Sequence, residues 1–173
     1  MNTDENKKFL QHWLTQHQGL LSKVLRTHAF TQHDQEDLLQ EITFQLWKSI
    51  ATYTTCKEEV AETTWIYRVA LYTAIGWTRK EKTHRRRKQS LDGSEHLLTQ
   101  PVKSTDKRLE WLYERIAELN DADRSLTIMM LDGCSYTEMA TVMGITENHV
   151  GVKINRIKKM LNKQLKEKQN HEL

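Results

Sequence analysis

The stretch SYTEMATVMGITENHVGVKINRIKKML, residues Ser135–Leu161, decides the fold of the C-terminal part of the chain. Ser135 is a favourable N-cap, and Glu138 three residues later completes a capping box, so a helix is predicted to begin directly after Ser135. Gly144 has the backbone freedom that a helix needs to end in a sharp turn. Thr146 can cap a second helix after this turn. Two short helices joined in this way predict a helix-turn-helix.

The two faces of the second helix differ in chemistry. Apolar residues at helical spacing predict a buried stripe of Val150, Ile154, Ile157 and Leu161. The opposite face carries Asn148, His149, Lys153, Arg156 and Lys159. In a DNA major groove, Asn and His can reach base edges, while Lys and Arg neutralise phosphates. The solvated face of a small helical bundle would have a similar composition, but the capped turn, the tight glycine and the one-sided positive charge favour DNA binding.

The composition predicts an all-α protein. The chain has 173 residues with one Pro and six Gly, and it lacks runs of alternating β-branched residues. The net charge is only +3, but the charges are segregated: residues 34–62 hold seven acidic residues and two Lys, whereas residues 153–168 hold seven Lys or Arg and one Glu. Such segregation predicts binding partners of opposite charge.

The sequence predicts no metal site, export or membrane insertion. Cys56 and Cys134 lie outside any Cys/His ligand spacing, so we expect reduced thiols in a cytoplasmic protein. The first residues, MNTDENKK, contain no apolar signal core, and no apolar run approaches the length of a membrane span. Nucleophile motifs, paired carboxylate sites and phosphate-binding glycine loops are also missing, so we expect no enzymatic activity, cofactor or small-molecule substrate.

Residues 1–90 are predicted to form a first helical domain. Apolar residues between Phe9 and Leu25 predict core helix with an interruption near Gly19. The segment 31–50 predicts a helix with an acidic outer face and a buried stripe of Leu38, Leu39, Ile42, Leu46 and Ile50. Residues 52–62, TYTTCKEEVAE, break the pattern and predict a loop, or a loop followed by a frayed turn.

The next predicted helix, from residue 63 or 64, combines aromatic and basic residues. Its predicted core positions are Trp65, Ile66, Val69, Ala70, Thr73 and Ile75, and its further aromatic residues are Tyr67, Tyr72 and Trp77. Arg68 and Arg79 lie among them, and the basic run RKEKTHRRRK occupies residues 79–88. Aromatic rings interleaved with Arg and Lys can bind single-stranded nucleic acid by stacking and phosphate neutralisation. Aromatic residues at helical spacing are also common in cores, so both roles remain open.

Residues 91–107 predict a flexible linker, because they contain Gly93, Pro101 and many Ser and Thr. A second domain is predicted at residues 108–173. Its first helix should end near residue 120, Asp121 or Asp123 should cap the next helix, and the polar residues 166–173 should fray. The expected fold is therefore two small helical domains joined by a flexible linker, with the helix-turn-helix in the second.

The order of these segments resembles that of an extracytoplasmic-function sigma factor, a small two-domain class in the sigma-70 family of bacterial RNA polymerase subunits. The resemblance rests on DQEDLLQEITFQLW at residues 34–47, TWIYRVA at residues 64–70 and the helix-turn-helix at residues 135–161. It implies a subunit that directs core RNA polymerase to specific promoters and helps to open the −10 element during transcription initiation. The implied partners are core RNA polymerase and promoter DNA, and an anti-sigma factor is left open.

The resemblance also assigns roles to matching positions. The helix at residues 34–47 resembles the segment that docks on the largest polymerase subunit, with candidate contacts at Asp37, Gln40 and Glu41. The following loop and helix resemble the −10 region, with candidate DNA contacts at Trp65, Arg68, Tyr72, Trp77, Arg79, Arg85, Arg86 and Arg87. The last helix resembles the reader of the −35 element, with candidates Asn148, His149, Val152, Lys153 and Arg156.

Four positions depart from the common family pattern. Tyr72 stands where the family often has Asn, Gly76 where it has Asp, Asn120 where it has Pro, and Gly151 where it has Lys. A second hypothesis is a conventional helix-turn-helix regulator that binds symmetric half-sites as a dimer. Copurification with core polymerase separates the two hypotheses.

Overall fold

The computed structural model describes residues 3–91 and 106–171, with the side chains in these ranges other than those of residues 82, 84–91, 169 and 171. The regular elements in these ranges are α-helices: α1 Thr3–Gln16, α2 Gln18–His28, α3 Gln32–Cys56, α4 Glu62–Leu91, α5 Lys107–Glu118, α6 Asp121–Leu131, α7 Tyr136–Met143 and α8 Glu147–His171. The chain divides into two compact units, Met1–Glu110 and Trp111–Leu173. The all-α fold with two helical units is confirmed, whereas the predicted linker lies almost entirely outside the described residues.

In the first unit, α3 packs against α1, α2 and α4, and α2 also packs against α4. The fully buried large side chains of this unit are Trp13, Leu38, Ile42, Leu46, Ile50, Ile66, Tyr67 and Leu71. The break between α1 and α2 falls at His17 and not at Gly19. The His17 ring nitrogen Nε2 lies 2.9 Å from Glu62 Oε1 at the start of α4. The break is therefore accompanied by a contact between His17 and the start of α4.

The loop predicted at residues 52–62 is wrong in its first half, because α3 continues to Cys56. Tyr53 is 6% exposed, and its ring centroid lies 5.3 Å from that of Trp13 and 5.7 Å from that of Trp65. Burial of this aromatic ring outweighs the weak helix propensity of the neighbouring threonines. Only the short connection 57–61 separates α3 from α4.

Two predicted buried stripes also need correction. Leu39 is 36% exposed instead of buried. On α4 the inner positions are Ile66, Tyr67, Ala70, Leu71 and Ala74, whereas Val69, Thr73 and Ile75 are half-buried. Because α4 packs against both α2 and α3, its buried stripe is broad and includes Tyr67 and Leu71.

In the second unit, α6 and α7 both pack on α8. The predicted capping box is present, since Ser135 Oγ accepts from Glu138 N and Glu138 accepts from Ser135 N. Gly144 ends α7 in the left-handed conformation with φ 65°. The side chains that close the motif are Met139, Val142, Val150, Ile154 and Ile157, each at most 1% exposed. The helix-turn-helix is confirmed.

The ends of two helices differ from expectation. Asn120 caps α6, because its Oδ1 accepts from Asp123 N at 3.0 Å. The polar segment predicted to fray is instead helical as far as His171. Lys168 Nζ lies 5.7 Å from the centroid of the Trp111 ring on α5, so a contact between α8 and α5 supports the extended end.

Candidate nucleic-acid and protein interfaces

The outward face of α8 is a continuous stripe of exposed residues. At 3.6 residues per turn, Asn148, Val152, Asn155 and Lys159 fall within about 60° of the helix circumference, and all four are exposed. We call these four residues the α8 stripe. His149 and Arg156 are also exposed and border it on one side. The buried Val150, Ile154 and Ile157 face the opposite way. The α8 stripe is therefore held outward by the core of the helix-turn-helix.

The sequence pattern predicted that Lys153 faces outward beside this stripe, but in the structure its side chain is paired with Asp123. Its Nζ lies 2.8 Å from Asp123 Oδ1 at the start of α6, and the side chains of Lys153 and Asp123 are 26% and 12% exposed. Burial alone raises the pKa of Asp123, but hydrogen bonds from Lys153 and Asn120 and the charges of Lys153 and Arg156 outweigh it and hold the pKa below its ordinary value. The physical reason for the difference is that a nearly buried carboxylate needs a counterion, and Lys153 supplies it.

Tyr136 lies against the opposite edge of α8, which sequence reasoning missed. A Cβ added to Gly151 would lie 3.3 Å from Tyr136 Cε2, so the bare backbone of Gly151 gives the ring its place. Tyr136 remains 42% exposed. A glycine inside a helix costs about 1 kcal/mol relative to alanine and often marks a close approach. The glycine at residue 151 could therefore have indicated a close approach at this point of α8. The sequence did not indicate that Tyr136, 15 residues earlier, makes this approach.

The aromatic residues of α4 divide between core and surface. Tyr67 is 2% exposed and belongs to the core. Trp65 is half-buried, its indole Nε1 donates to Ser49 Oγ at 3.1 Å, and its ring packs beside Tyr53. Tyr72 is 54% exposed, and Trp77 is half-buried. Tyr72 is therefore the aromatic residue of α4 that is most available for stacking.

Tyr72 lies between two open grooves that α3 and α4 form together. One, of about 660 Å³, is lined by Glu41, Gln45, Tyr72, Thr73, Gly76, Trp77, Lys80 and Glu81. The other, of about 580 Å³, is lined by Gln45, Lys48, Ser49, Arg68, Val69, Tyr72 and Thr73. The structure thus brings together the candidates Arg68, Tyr72 and Trp77, and it adds Lys48, which the sequence pattern did not single out. Arg79 is exposed on the same helix, whereas the side chains of Arg85, Arg86 and Arg87 lie outside the described residues.

The polymerase-binding candidates lie on α3. Asp37 and Gln40 are exposed, and Glu41 is half-buried, with its Oε1 accepting from Gln45 Nε2 at 2.9 Å. Gln40 also borders a mainly apolar groove of about 480 Å³, whose other lining residues are Leu10, Leu39, Thr43, Phe44 and Trp47. Phe44 is 54% exposed there. An acidic face beside exposed apolar side chains is a composition suited to binding another protein.

Neither a metal site nor a membrane span is found in the described parts of the chain. In residues 3–91 and 106–171, no three His, Cys, Asp or Glu side chains come together in a metal-binding arrangement. The helices within these ranges are also too short or too polar to cross a bilayer.

Comparison with known proteins places the two units in one family. The model of Sigma-70 region 2 matches residues 13–84, and that of Sigma-70 region 4, in the form Sigma70_r4_2, matches residues 109–161. Together these matches cover well over half of the chain. The comparison with curated proteins found no match.

Two solved structures share the fold. The sigma factor RpoE from Bartonella quintana, in complex with the anti-sigma factor NepR, has a TM-score of 0.66 and 20% identity over 92% of this chain and 98% of that one. CnrH, in complex with the cytosolic domain of CnrY, has a TM-score of 0.64 and 15% identity over 92% of this chain and 89% of that one. Regions 2 and 4 occur in the order of the two helical units and with a gap between them. The chain therefore belongs to the sigma-70 family and is an RNA polymerase sigma factor of the extracytoplasmic-function type.

Proposed function

We propose that the two units divide the work of transcription initiation, with the functional domains at residues 1–90 and 108–173 and a linker between them. The first unit docks on core polymerase through α3 and holds the opened −10 element against α3 and α4. The second unit recognises the −35 element through α8. The observation that carries this proposal is the α8 stripe, an exposed set of polar, apolar and basic residues fixed on a helix-turn-helix.

Within the second unit, the base contacts fall to residues near the N-terminus of α8. Asn148 and His149 are exposed in its first turn, and His149 N is held by Thr146 Oγ1 at 3.3 Å. An Asn side chain can bind an adenine with two hydrogen bonds, and such a contact discriminates by about 1–3 kcal/mol. Arg156 and Lys159 contact phosphates, which holds the helix in register but carries no sequence information. Lys153 positions α8 through Asp123.

Within the first unit, Tyr72 stacks on an unpaired base and Arg68 and Lys48 bind the adjacent backbone. The support is the exposure of the Tyr72 ring between two grooves, one of them lined by both cations. Stacking on an aromatic side chain stabilises a bound base by about 1–3 kcal/mol, which offsets part of the cost of unpairing. Arg79 and the run Arg85–Arg87 add phosphate contacts. The half-buried Trp65 and Trp77 pack beneath the DNA-binding surface of α4.

Protein partners bind at α3. Asp37, Gln40 and Glu41 form the acidic part of this surface, and the groove beside Phe44 forms the apolar part. Core RNA polymerase is the partner we assign to it. An anti-sigma factor that covered the same surface would block docking; the similar sigma factor RpoE was solved in complex with an anti-sigma factor, NepR. A subunit that binds core RNA polymerase acts in the cytoplasm. Its role is binding, and it requires no catalytic activity of this chain.

In vitro transcription tests the proposal. The purified chain is added to bacterial core polymerase on templates randomised at the −35 and −10 elements. We expect enriched transcripts that share two sequence elements at fixed spacing. Enrichment no greater than with core polymerase alone would contradict the proposal, and recovery of symmetric half-sites bound without polymerase would favour a conventional dimeric regulator.

A further inference from the structure

One of the four residues of the α8 stripe is apolar. Val152 is 62% exposed, the largest exposed fraction among the large apolar side chains in the described ranges. Asn148 lies one turn before it and Arg156 one turn after it, and the buried Val150 and Ile154 face the opposite side of the helix. A single exposed valine is not unusual on a protein surface, but Val152 lies on the outward face of the second helix of a helix-turn-helix, the face that enters the major groove in this motif.

The side chains one turn away from Val152 on the helix surface are polar: Asn148 and His149 before it, and Asn155 and Arg156 after it. The adjacent Gly151 has no side chain, and the Tyr136 ring occupies the space where a Cβ at that position would point, at 3.3 Å. A Cβ at residue 151 would require the Tyr136 ring to shift by a few tenths of an ångström. The β-branched Val152 side chain is also stiff in a helix, so little conformational entropy is lost when it makes a close contact.

The floor of the DNA major groove offers one apolar group, the methyl at C5 of a pyrimidine, which thymine carries and 5-methylcytosine shares. We propose that Val152 reads this C5-methyl group in the −35 element, so that sequence selection by α8 combines a hydrogen-bonding contact at Asn148 with an apolar contact one turn later. This inference rests on the proposed −35 reading by α8. It adds the chemical feature that the apolar residue of the α8 stripe recognises.

Thymine-to-uracil replacement provides the test, because it removes the methyl and leaves the base pairing unchanged. The preferred −35 element is first selected with the holoenzyme. Each thymine of both strands is then replaced singly by uracil, and holoenzyme binding is compared for wild type, Val152→Ala and Leu131→Ala. Leu131 is a matched control, since it is an exposed apolar residue, 44% exposed, at the end of α6 and not on α8.

We expect one position at which uracil weakens binding by wild type about fourfold, the effect of removing one methyl from an apolar contact. Leu131→Ala should show the same fourfold loss. Val152→Ala should bind the thymine template more weakly than wild type does and show no further loss with uracil. Replacing that thymine with cytosine and with 5-methylcytosine gives a second arm, in which the methylated base should bind more tightly than cytosine to wild type and equally to Val152→Ala.

Two results would overturn the inference. Uracil could have no effect on wild type at any position. Alternatively, the loss with uracil could be the same in Val152→Ala as in wild type, so that the substitution weakens the protein by the same factor on both templates. In each case promoter-selective transcription would persist. Its absence from the initial selection would instead show that the proposed function itself is wrong.

Discussion

Helices α4 and α8 are the two candidate DNA-binding helices, and their side chains divide between inside and outside in different ways. On α4 the aromatic residues divide: Tyr67 is in the core, Trp65 is held by Ser49, and Tyr72 is exposed. On α8 the cations divide, because Lys153 pairs with Asp123 while Arg156 remains exposed. Residue type therefore does not identify the contact residues on either helix.

The difference shows what an amphipathic pattern can establish. Helical spacing predicts which side of a helix a residue occupies. For residues at the centre of a face, it correctly predicts whether the side chain is buried or exposed. Residues at the edges, such as Trp65 and Lys153, take their roles from neighbouring helices. Paired substitutions, one at a centre and one at an edge or on the opposite face, can separate these roles.

The largest effect is expected from a pair on opposite faces of α8. Val150→Asp places an unpaired charge among fully buried side chains and should destabilise the second unit by roughly 3–5 kcal/mol. Val152→Asp, two residues later on the exposed face, should leave it folded. Hydrogen exchange of peptides from residues 136–161, measured in the full chain, distinguishes the two. Equal protection of both variants would contradict the assignment of the faces.

A second pair lies on α4. Trp65→Ala removes a half-buried ring and its hydrogen bond to Ser49, and should cost roughly 2–3 kcal/mol of unfolding free energy, less than for full burial. Tyr72→Ala should change stability by no more than about 0.5 kcal/mol but weaken holoenzyme binding to an opened −10 strand by about 1–3 kcal/mol. Denaturant unfolding and binding to single-stranded oligonucleotides measure the two effects. A stability loss at Tyr72 as large as at Trp65 would place both rings in the core.

A third pair compares the two cations of α8. Lys153→Met leaves Asp123 without its counterion and should cost about 1–3 kcal/mol of stability, whereas Arg156→Met should cost less than about 0.5 kcal/mol. Promoter binding should respond in the opposite way. Arg156→Met should reduce the slope of log affinity against log salt by about one unit, and Lys153→Met should leave the slope unchanged. Equal slope changes would mean that Lys153 leaves Asp123 to bind phosphate.

Acid sensitivity sharpens the same comparison. The lowered pKa of Asp123 stabilises the second unit at pH values above the unfolded carboxyl pKa of about 3.9, and this contribution is lost as pH falls through the lower folded pKa. In Lys153→Met the folded pKa should rise, so this acid-dependent loss should shrink. Melting curves of both proteins between neutral pH and pH 3 measure it. An unchanged acid dependence would show that other carboxylates control it.

Local features of the fold could be predicted from the sequence. Ser135, Glu138 and Gly144 act within a few residues of one another, so their capping roles follow from the sequence alone. The continuation of α3 through Tyr53 could not be predicted, because that ring is buried by Trp13 and Trp65 from other helices. The candidate site shows the same limit: the exposure of Asn148 follows from spacing, whereas the pairing of Lys153 with Asp123 joins residues 30 positions apart.

The central claim is that α3 serves polymerase binding and α8 serves promoter reading, and one crossed measurement tests it. Core binding and promoter selection are measured for Asp37→Lys/Glu41→Lys and for Asn148→Ala/His149→Ala, with Glu58→Lys/Glu59→Lys as a charge-matched control in the exposed connection after α3.

The α3 variant should lose core binding with its helical circular dichroism unchanged. The α8 variant should bind core polymerase like wild type and lose preference at one or two positions of the −35 element. Core binding retained by the α3 variant at physiological salt, or an unaltered −35 preference in the α8 variant, would contradict the division of work between the two units.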